Sequence, residues 1–294
     1  KCGSVLRVDR LTPKLYSDET GGEKMIGAII GDIVGSRFER ANHKSTDFEL
    51  FTDECSFTDD TAMTLAVAKA LLESDGDLRV LGENTVKSMQ EIGRKYPYCG
   101  YGQSFYLWLH KRHPKPYNSY GNGAAMRVSP VAYVADFKPQ CMTLSNEVTK
   151  VTHNHPEGIR GAQAVAVATW AARYKPPKTE IRQLIDSNYY SLDFTIDELR
   201  PSYRFDASCQ GSVPQAIQAF LESENFEDAI RLAVSIGGDS DTIAAITGGI
   251  AGAYYGVPND LRTKALTYLP EDLRDILVEF EATYRFRNFV RGSE

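Results

Sequence analysis

Two short acidic motifs carry the residues most able to do chemistry. The first is Phe57-Thr58-Asp59-Asp60-Thr61, and the second is Gly237-Gly238-Asp239-Ser240-Asp241-Thr242. Each offers two carboxylates and hydroxyls within a few residues, all of them oxygen donors. Hard divalent cations such as magnesium take oxygen ligands and keep some of their water. Carboxylates crowded together without a cation repel one another, and some must hold protons. If the fold brings the two motifs together, a two-magnesium centre follows. Other metal patterns fit poorly. Neither motif supplies the alternating donors and final Glu of an EF-hand loop. There is no H-E-x-x-H, and no Cys/His spacing suits zinc.

Each motif runs directly into an apolar helical pattern: Ala62 to Leu72 after the first, Ile243-Ala244-Ala245-Ile246 after the second. The acids therefore stand at helix N-termini, where Thr, Ser and Asp also cap free N–H groups and oppose the helix dipole. Capping alone would account for either motif taken singly. Further helices are expected near 80–95, 103–111, 139–152, 157–174, 178–188, 213–222, 226–235, 241–255 and 270–288, from apolar residues spaced three and four apart. Pro156, Pro214 and Pro270 stand at or near helix starts, where a missing N–H costs nothing. Short strands are possible only around 192–206. The reading is an all-α single domain over 25–294, preceded by an extension over 1–24 that is a tail or a partner-binding arm.

Met25 to Glu39 has glycines at every fourth position: Gly27, Gly31 and Gly35. That spacing puts them on one helix face, where another backbone can approach closely. It is not G-x-G-x-x-G, and no strand precedes it, so Rossmann-type dinucleotide binding is disfavoured. Packing does not explain Glu39 at the helix exit. A third dense segment, Asn118-Ser119-Tyr120-Gly121-Asn122-Gly123-Ala124-Ala125-Met126-Arg127, reads as a turn opening a helix, whose backbone N–H groups could hold a phosphate. His153-Asn154-His155 places two imidazoles two apart.

The composition sets bounds on partners. The chain has 294 residues, with 33 Lys plus Arg against 39 Asp plus Glu, a net charge of −6. Gripping long nucleic-acid tracks or an anionic membrane needs a cationic face, so both are disfavoured. A hydrophobic share of 42% and a charged share of 24% are those of a globular protein. The most apolar stretch, Thr242 to Val257, is shorter than the roughly 20 residues of a membrane-spanning helix. No basic segment followed by an apolar one opens the chain, so no signal peptide is expected. Five cysteines without a CxxC pair point to reduced thiols and a cytoplasmic location. No heptad or sustained apolar stripe suggests self-association, and a monomer is expected.

In order along the chain, these segments resemble the ADP-ribosylglycohydrolase family, which includes the dinitrogenase reductase-activating glycohydrolase and the ADP-ribosylserine and ADP-ribosylarginine hydrolases. The resemblance rests on Gly27-x-x-x-Gly31-Asp32-x-x-Gly35-Ser36-x-x-Glu39, Thr58-Asp59-Asp60-Thr61, Ser119 to Arg127, Thr152-His153 and Ile236 to Thr242. It covers Met25 to about Gly256. It implies a compact orthogonal multi-helix fold with a binuclear magnesium centre in a cleft, manganese being the alternative metal. The family's metal ligands fall on Thr58, Asp59, Asp60, Asp239, Asp241 and Thr242. Its mobile-loop glutamate, which positions water or substrate, falls on Glu39. Gly102 and the Ser119, Tyr120, Gly121, Asn122, Gly123 turn fall where relatives hold the diphosphate and ribose, with Tyr120 and His153 near the distal ribose and adenine.

The implied activity is hydrolysis of the glycosidic bond at the distal ribose of an ADP-ribosylated protein or related conjugate. Glu39, Asp60 and Asp241 are the catalytic candidates. Arginine, serine, a nucleic-acid base and a small molecule all stand as acceptors. Two alternatives belong to other classes. One is an immunity protein that counters an ADP-ribosyltransferase toxin, with residues 1–24 as a blocking arm. The other is a non-catalytic ADP-ribose-binding or crystallin-like protein. Two magnesium ions would change the net charge from −6 to −6 + 4 = −2, so a diphosphate can enter the cleft of an acidic chain.

Overall fold

The computed structural model describes residues 25–284. Among them the chain forms fifteen helices. The first half comprises α1 (Ile26–Ser36), α2 (Asp59–Ser74), α3 (Leu78–Lys95), α4 (Gln103–Leu109), α5 (Gly123–Met126), α6 (Ser129–Val134), α7 (Lys138–Thr149) and α8 (Pro156–Ala172). The second comprises α9 (Lys178–Asp186), α10 (Ile196–Leu199), α11 (Cys209–Glu222), α12 (Phe226–Ser235), α13 (Ser240–Tyr255), α14 (Asn259–Leu266) and α15 (Glu271–Thr283). There is no strand among the described residues, only an isolated bridge between Gly121 and Ser208. The fold is all-α.

Helices α1 and α13 form the centre. Every residue of α1 from Ile26 to Gly35 is buried, and so is α13 from Ser240 to Ala253. The four-residue glycine spacing in α1 explains how they meet. A Cβ on Gly27 would strike the Gly248 carbonyl, one on Gly31 the Ala244 carbonyl, and one on Gly35 the backbone of Ser240 and Asp241. Absent side chains thus let two helix backbones touch, which fixes their relative height to a fraction of a turn. Around this pair α2, α8, α11 and α12 bury their apolar faces, dominated by Ala, Val, Ile and Leu.

Most helices stand where periodicity places them, and the differences have local causes. Helix α11 starts at Cys209 rather than at 213, because the Ser208 hydroxyl caps it by accepting from Gly211 N at 3.1 Å. Pro214 consequently lies inside the helix instead of at its start. The stretch 192–206 contains no strand. Its ordered element is α10, opened by a capping box in which Thr195 and Glu198 satisfy each other's backbone N–H. Helices α6 and α10 are too short for an apolar period to reveal, and α14 buries only Leu261 and Ala265, too few to mark an apolar face. The extension 1–24 and the last turn expected near 285–288 lie outside the described residues. Cys55, Cys99, Cys141 and Cys209 are free thiols. Among the described residues no helix is long and apolar enough to cross a membrane.

Candidate metal centre and substrate turn

The site grows from the α1–α13 contact. Asp32 is the one charged residue of α1 and is fully buried. A buried carboxylate needs donors, and α2 supplies them. Asp32 accepts from Thr58 N at 2.9 Å, Thr58 Oγ1 at 2.7 Å and Thr61 N at 3.0 Å. The Thr58 hydroxyl also accepts from Asp60 N at 3.2 Å, as the N-cap of α2. These bonds lock the first turn of α2 against the middle of α1 and aim Asp60 inward.

Helix α13 brings the second motif to the same place. The Thr242 hydroxyl donates to Asp60 Oδ2 at 3.1 Å. The two motifs therefore touch. Asp32, Asp60 and Asp241 each place a carboxylate oxygen within 4.8 Å of the others, and so do Glu39, Asp239 and Asp241. Asp241 belongs to both groups, and Asp60, Asp239 and Asp241 are buried. Asp60 Oδ1 is buried without a hydrogen-bond partner. Asp59 is half-buried, with its backbone N–H on the Cys99 carbonyl at 2.7 Å.

Such crowding raises every one of these carboxyls. Burial, then the charges of Asp32 and Asp239, push Asp59 up to about 8. Burial, then Asp32, Asp59 and Asp239, hold Asp60 well above the ordinary carboxylate range; burial, then Asp60, Asp239 and Asp32, do the same for Asp241. Asp239 is raised by burial, against hydrogen bonds from Asp241 and Asn122 that favour its charged form. Half-buried Glu39 is raised by burial and then by Asp239, with Arg40 opposing. An all-oxygen set of this kind, with one buried oxygen unpartnered, fits a hard divalent cation in place of the protons.

The turn before α5 adjoins the acids. The Asn122 amide donates to Asp239 Oδ2 at 2.7 Å and to Ser212 Oγ at 2.9 Å. Asn122 N donates to Ala207 O at 2.8 Å, Cys209 N to Tyr120 O at 2.9 Å, and Gly121 N to Ser119 Oγ at 3.1 Å. Buried His153 shares Nδ1 with the Thr152 hydroxyl at 2.7 Å, and Arg127 donates to that hydroxyl at 2.5 Å. Burial, then the Arg127 charge, lowers the His153 imidazole well below its usual range, so it is neutral at pH 7. A Cβ on Gly123 would lie 3.4 Å from His153 Nε2. The ring thus backs the glycine turn.

The profile of the ADP-ribosylglycohydrolase family matches residues 23–287. The chain belongs to this family. A solved structure shares the fold. A solved chain described as an ADP-ribosylglycohydrolase-related protein complex superposes with a TM-score of 0.67 at 23% identity, covering 89% of this chain and 95% of that one. Among curated relatives, the ADP-ribosylarginine hydrolase Tri1 of Pseudomonas putida (strain GB-1) is 30% identical over 291 residues, 85% of this chain and 74% of its own. The ADP-ribosylhydrolase ARH3 of Xenopus tropicalis is 26% identical over 310 residues, 79% of this chain and 86% of its own. Like its relatives, this ADP-ribosylglycohydrolase is an enzyme of the hydrolase class.

Of the residues singled out from sequence, Glu39, Thr58, Asp60, Asp239, Asp241 and Thr242 converge, and Asp59 stands beside them close enough to be raised by Asp32, Asp239 and Glu39. Ser119, Gly121, Asn122, Gly123 and His153 form one neighbourhood, joined to the acids through Asn122. Tyr120 is exposed, its ring 5.3 Å from that of His155. Gly102 caps α4 with open space around its Cα. Asp32 is the residue that sequence reasoning left without a role. The available signal was a lone acid inside an eleven-residue apolar helix.

Proposed function

We propose that this ADP-ribosylglycohydrolase removes ADP-ribose from a modified side chain or a related conjugate, by magnesium-dependent hydrolysis of the glycosidic bond at the distal ribose. The observation that carries the reading is the pair of carboxylate groups that share Asp241. One shared ligand between two groups suits two cations side by side. Asp59, Asp60, Asp239 and Asp241 would hold them, with Thr58 and Thr242 completing the shell and manganese as the substitute metal. When bound, the two ions would polarise the ribose hydroxyls and compensate the buried acids.

The chain's own groups do the rest. Cleavage builds positive charge at the anomeric carbon, as in other glycoside hydrolyses, and the surrounding carboxylates stabilise it. Glu39 is half-buried and is the acid of the set that lines a pocket. Its raised pKa brings it nearer to neutrality, which suits a base that takes a proton from the attacking water. Asp32 holds Thr58 in place, and Asn122 holds Asp239. The glycine turn with neutral His153 behind it would receive the diphosphate without a side chain in the way, and exposed Tyr120 would cover the adenosine end. The names of Tri1 and ARH3 support ADP-ribose conjugates as substrates, and arginine, serine, a nucleic-acid base and a small molecule all stand as acceptors.

The test is a panel of conjugates of arginine, serine, a nucleic-acid base and a small alcohol, each incubated with and without magnesium. Release of free ADP-ribose from at least one, dependent on the metal, is the expected result. Binding of ADP-ribose without release from any conjugate would favour the non-catalytic reading.

A further inference from the structure

A pocket of about 440 Å³ opens beside the acids, lined by Glu39, Arg40, Asn42, Arg204, Phe205 and Gly238. Its inner wall is the reacting region, because Glu39 joins Asp239 and Asp241 and Gly238 precedes Asp239. Its outer wall is cationic and aromatic. Arg40 and Arg204 are exposed, and Phe205 is 56% exposed. The wall is built, not loose. Arg204 Nη1 donates to Tyr203 O at 2.8 Å and Pro201 O at 3.3 Å, which fixes the guanidinium without neutralising it. Asn42, in the left-handed region at φ 46°, accepts from Gly238 N at 3.1 Å. Behind it, Lys44 Nζ donates to Tyr203 O at 2.9 Å and to the Ile236 carbonyl. Lys44 adds a third positive charge, near enough to Arg204 for the two to repel.

A glycoside has a sugar half and an acceptor half on opposite sides of the anomeric carbon. The turn proposed for ADP-ribose reaches the acids through Asn122 and Asp239 and borders the segment of Arg204 and Phe205 further along, where Asn122 N donates to Ala207 O at 2.8 Å; this pocket opens at the near end of that segment, on the Glu39 and Gly238 side of the acids. We infer that the pocket receives the acceptor half, and that Arg40 and Arg204 select a peptide acceptor whose modified residue is flanked by carboxylates. The inference rests on the hydrolase reading above. Guanidinium groups present planar forks that match carboxylates, and Phe205 offers an apolar face to the peptide stem. Basic flanks meet two like charges. Two guanidiniums and one ring match a short acidic segment better than a nucleic-acid track, which needs a longer cationic face.

The experiment uses the full chain with magnesium at low salt. Peptides carry one ADP-ribosylated residue with Glu, Ala or Lys flanks, alongside an ADP-ribosylated oligonucleotide. Exposed ion pairs are individually weak, so two of them predict kcat/KM about tenfold higher for Glu than for Ala flanks, with Lys flanks lowest. The preference should shrink in high salt. The double variant Arg40→Glu, Arg204→Glu should invert the order, and Arg40→Gln, Arg204→Gln should flatten it, while competition by free ADP-ribose stays at the unsubstituted value. Equal rates across the three peptides would overturn the inference and leave the hydrolase reading standing. So would preference for the oligonucleotide, or equal loss of free ADP-ribose binding, which would assign the pocket to the ADP-ribose half. Hydrolysis of no conjugate at all would sink both readings together.

Discussion

Replacing Gly31 with alanine would put a Cβ 2.7 Å from Ala245 N and closer still to the Ala244 carbonyl. Carbon atoms pack comfortably at about 3.5–4.0 Å, so α1 and α13 would have to separate by roughly 1 Å. Every clashing atom is backbone, and no rotamer change relieves it. Overpacking of this kind costs about 3 kcal/mol at the upper end of its usual range. Alanine's higher helix propensity returns about 1 kcal/mol, leaving a net loss near 2 kcal/mol. For a domain of this size that is roughly 4–8 °C in Tm. The same displacement moves Asp32 on α1 relative to Asp241 on α13. A shift of about 1 Å in a reacting constellation costs on the order of a hundredfold in rate. Gly82→Ala is the matched control. Its Cβ would meet only Val151 Cγ1, at 4.0 Å, so the propensity gain stands alone and stability should rise by up to about 1 kcal/mol. Thermal unfolding with ADP-ribose release on both variants gives the answer. Parental Tm and rate in Gly31→Ala would refute the argument that backbone contact between α1 and α13 sets the site.

Other substitutions and conditions probe the same centre. Asp59 has a folded pKa of about 8 against 3.8 for an ordinary Asp, so the folded state holds more protons between those values and stability falls as pH rises through that window. Metal-free protein should therefore melt lower at pH 8 than at pH 5, with added magnesium reversing the difference; unfolding scans in chelator and in magnesium check this. Asp32→Asn keeps one acceptor oxygen where three donors converge. It should cost about 2 kcal/mol of stability and weaken magnesium binding about tenfold, read by calorimetry. Asn122→Ala frees Asp239 and Ser212 from their shared donor and should lower kcat/KM by roughly 10–100-fold with little change in Tm, in line with other outer-shell partners of metal ligands.

Much of this architecture is legible in the sequence. The four-residue spacing of Gly27, Gly31 and Gly35 announced a close helix contact, though not that α13 was the partner. The acidic motifs announced two helix N-termini, and each apolar run that followed is a buried helix. What stayed hidden depends on contacts between distant residues or on local caps. The donors of Asp32 come from a segment 26–29 residues later, and no local pattern joins them. Ser208 outweighs Pro214 in deciding where α11 begins, because its cap satisfies a free N–H while the proline merely lacks one. The pocket wall pairs residues 39–42 with 204–205, two stretches without periodicity that only tertiary packing brings face to face.

Asp59, Asp60, Asp239 and Asp241, gathered where the two carboxylate groups meet at Asp241, are proposed to hold the divalent ions on which ADP-ribose release depends. The direct measurement is the rate of ADP-ribose release from an ADP-ribosylated peptide by chelator-stripped protein, titrated with magnesium, for the parent and for Asp241→Ala. Release should begin only as magnesium is added and should be abolished in Asp241→Ala. Full-rate release by stripped protein, or by Asp241→Ala, would contradict this metal assignment.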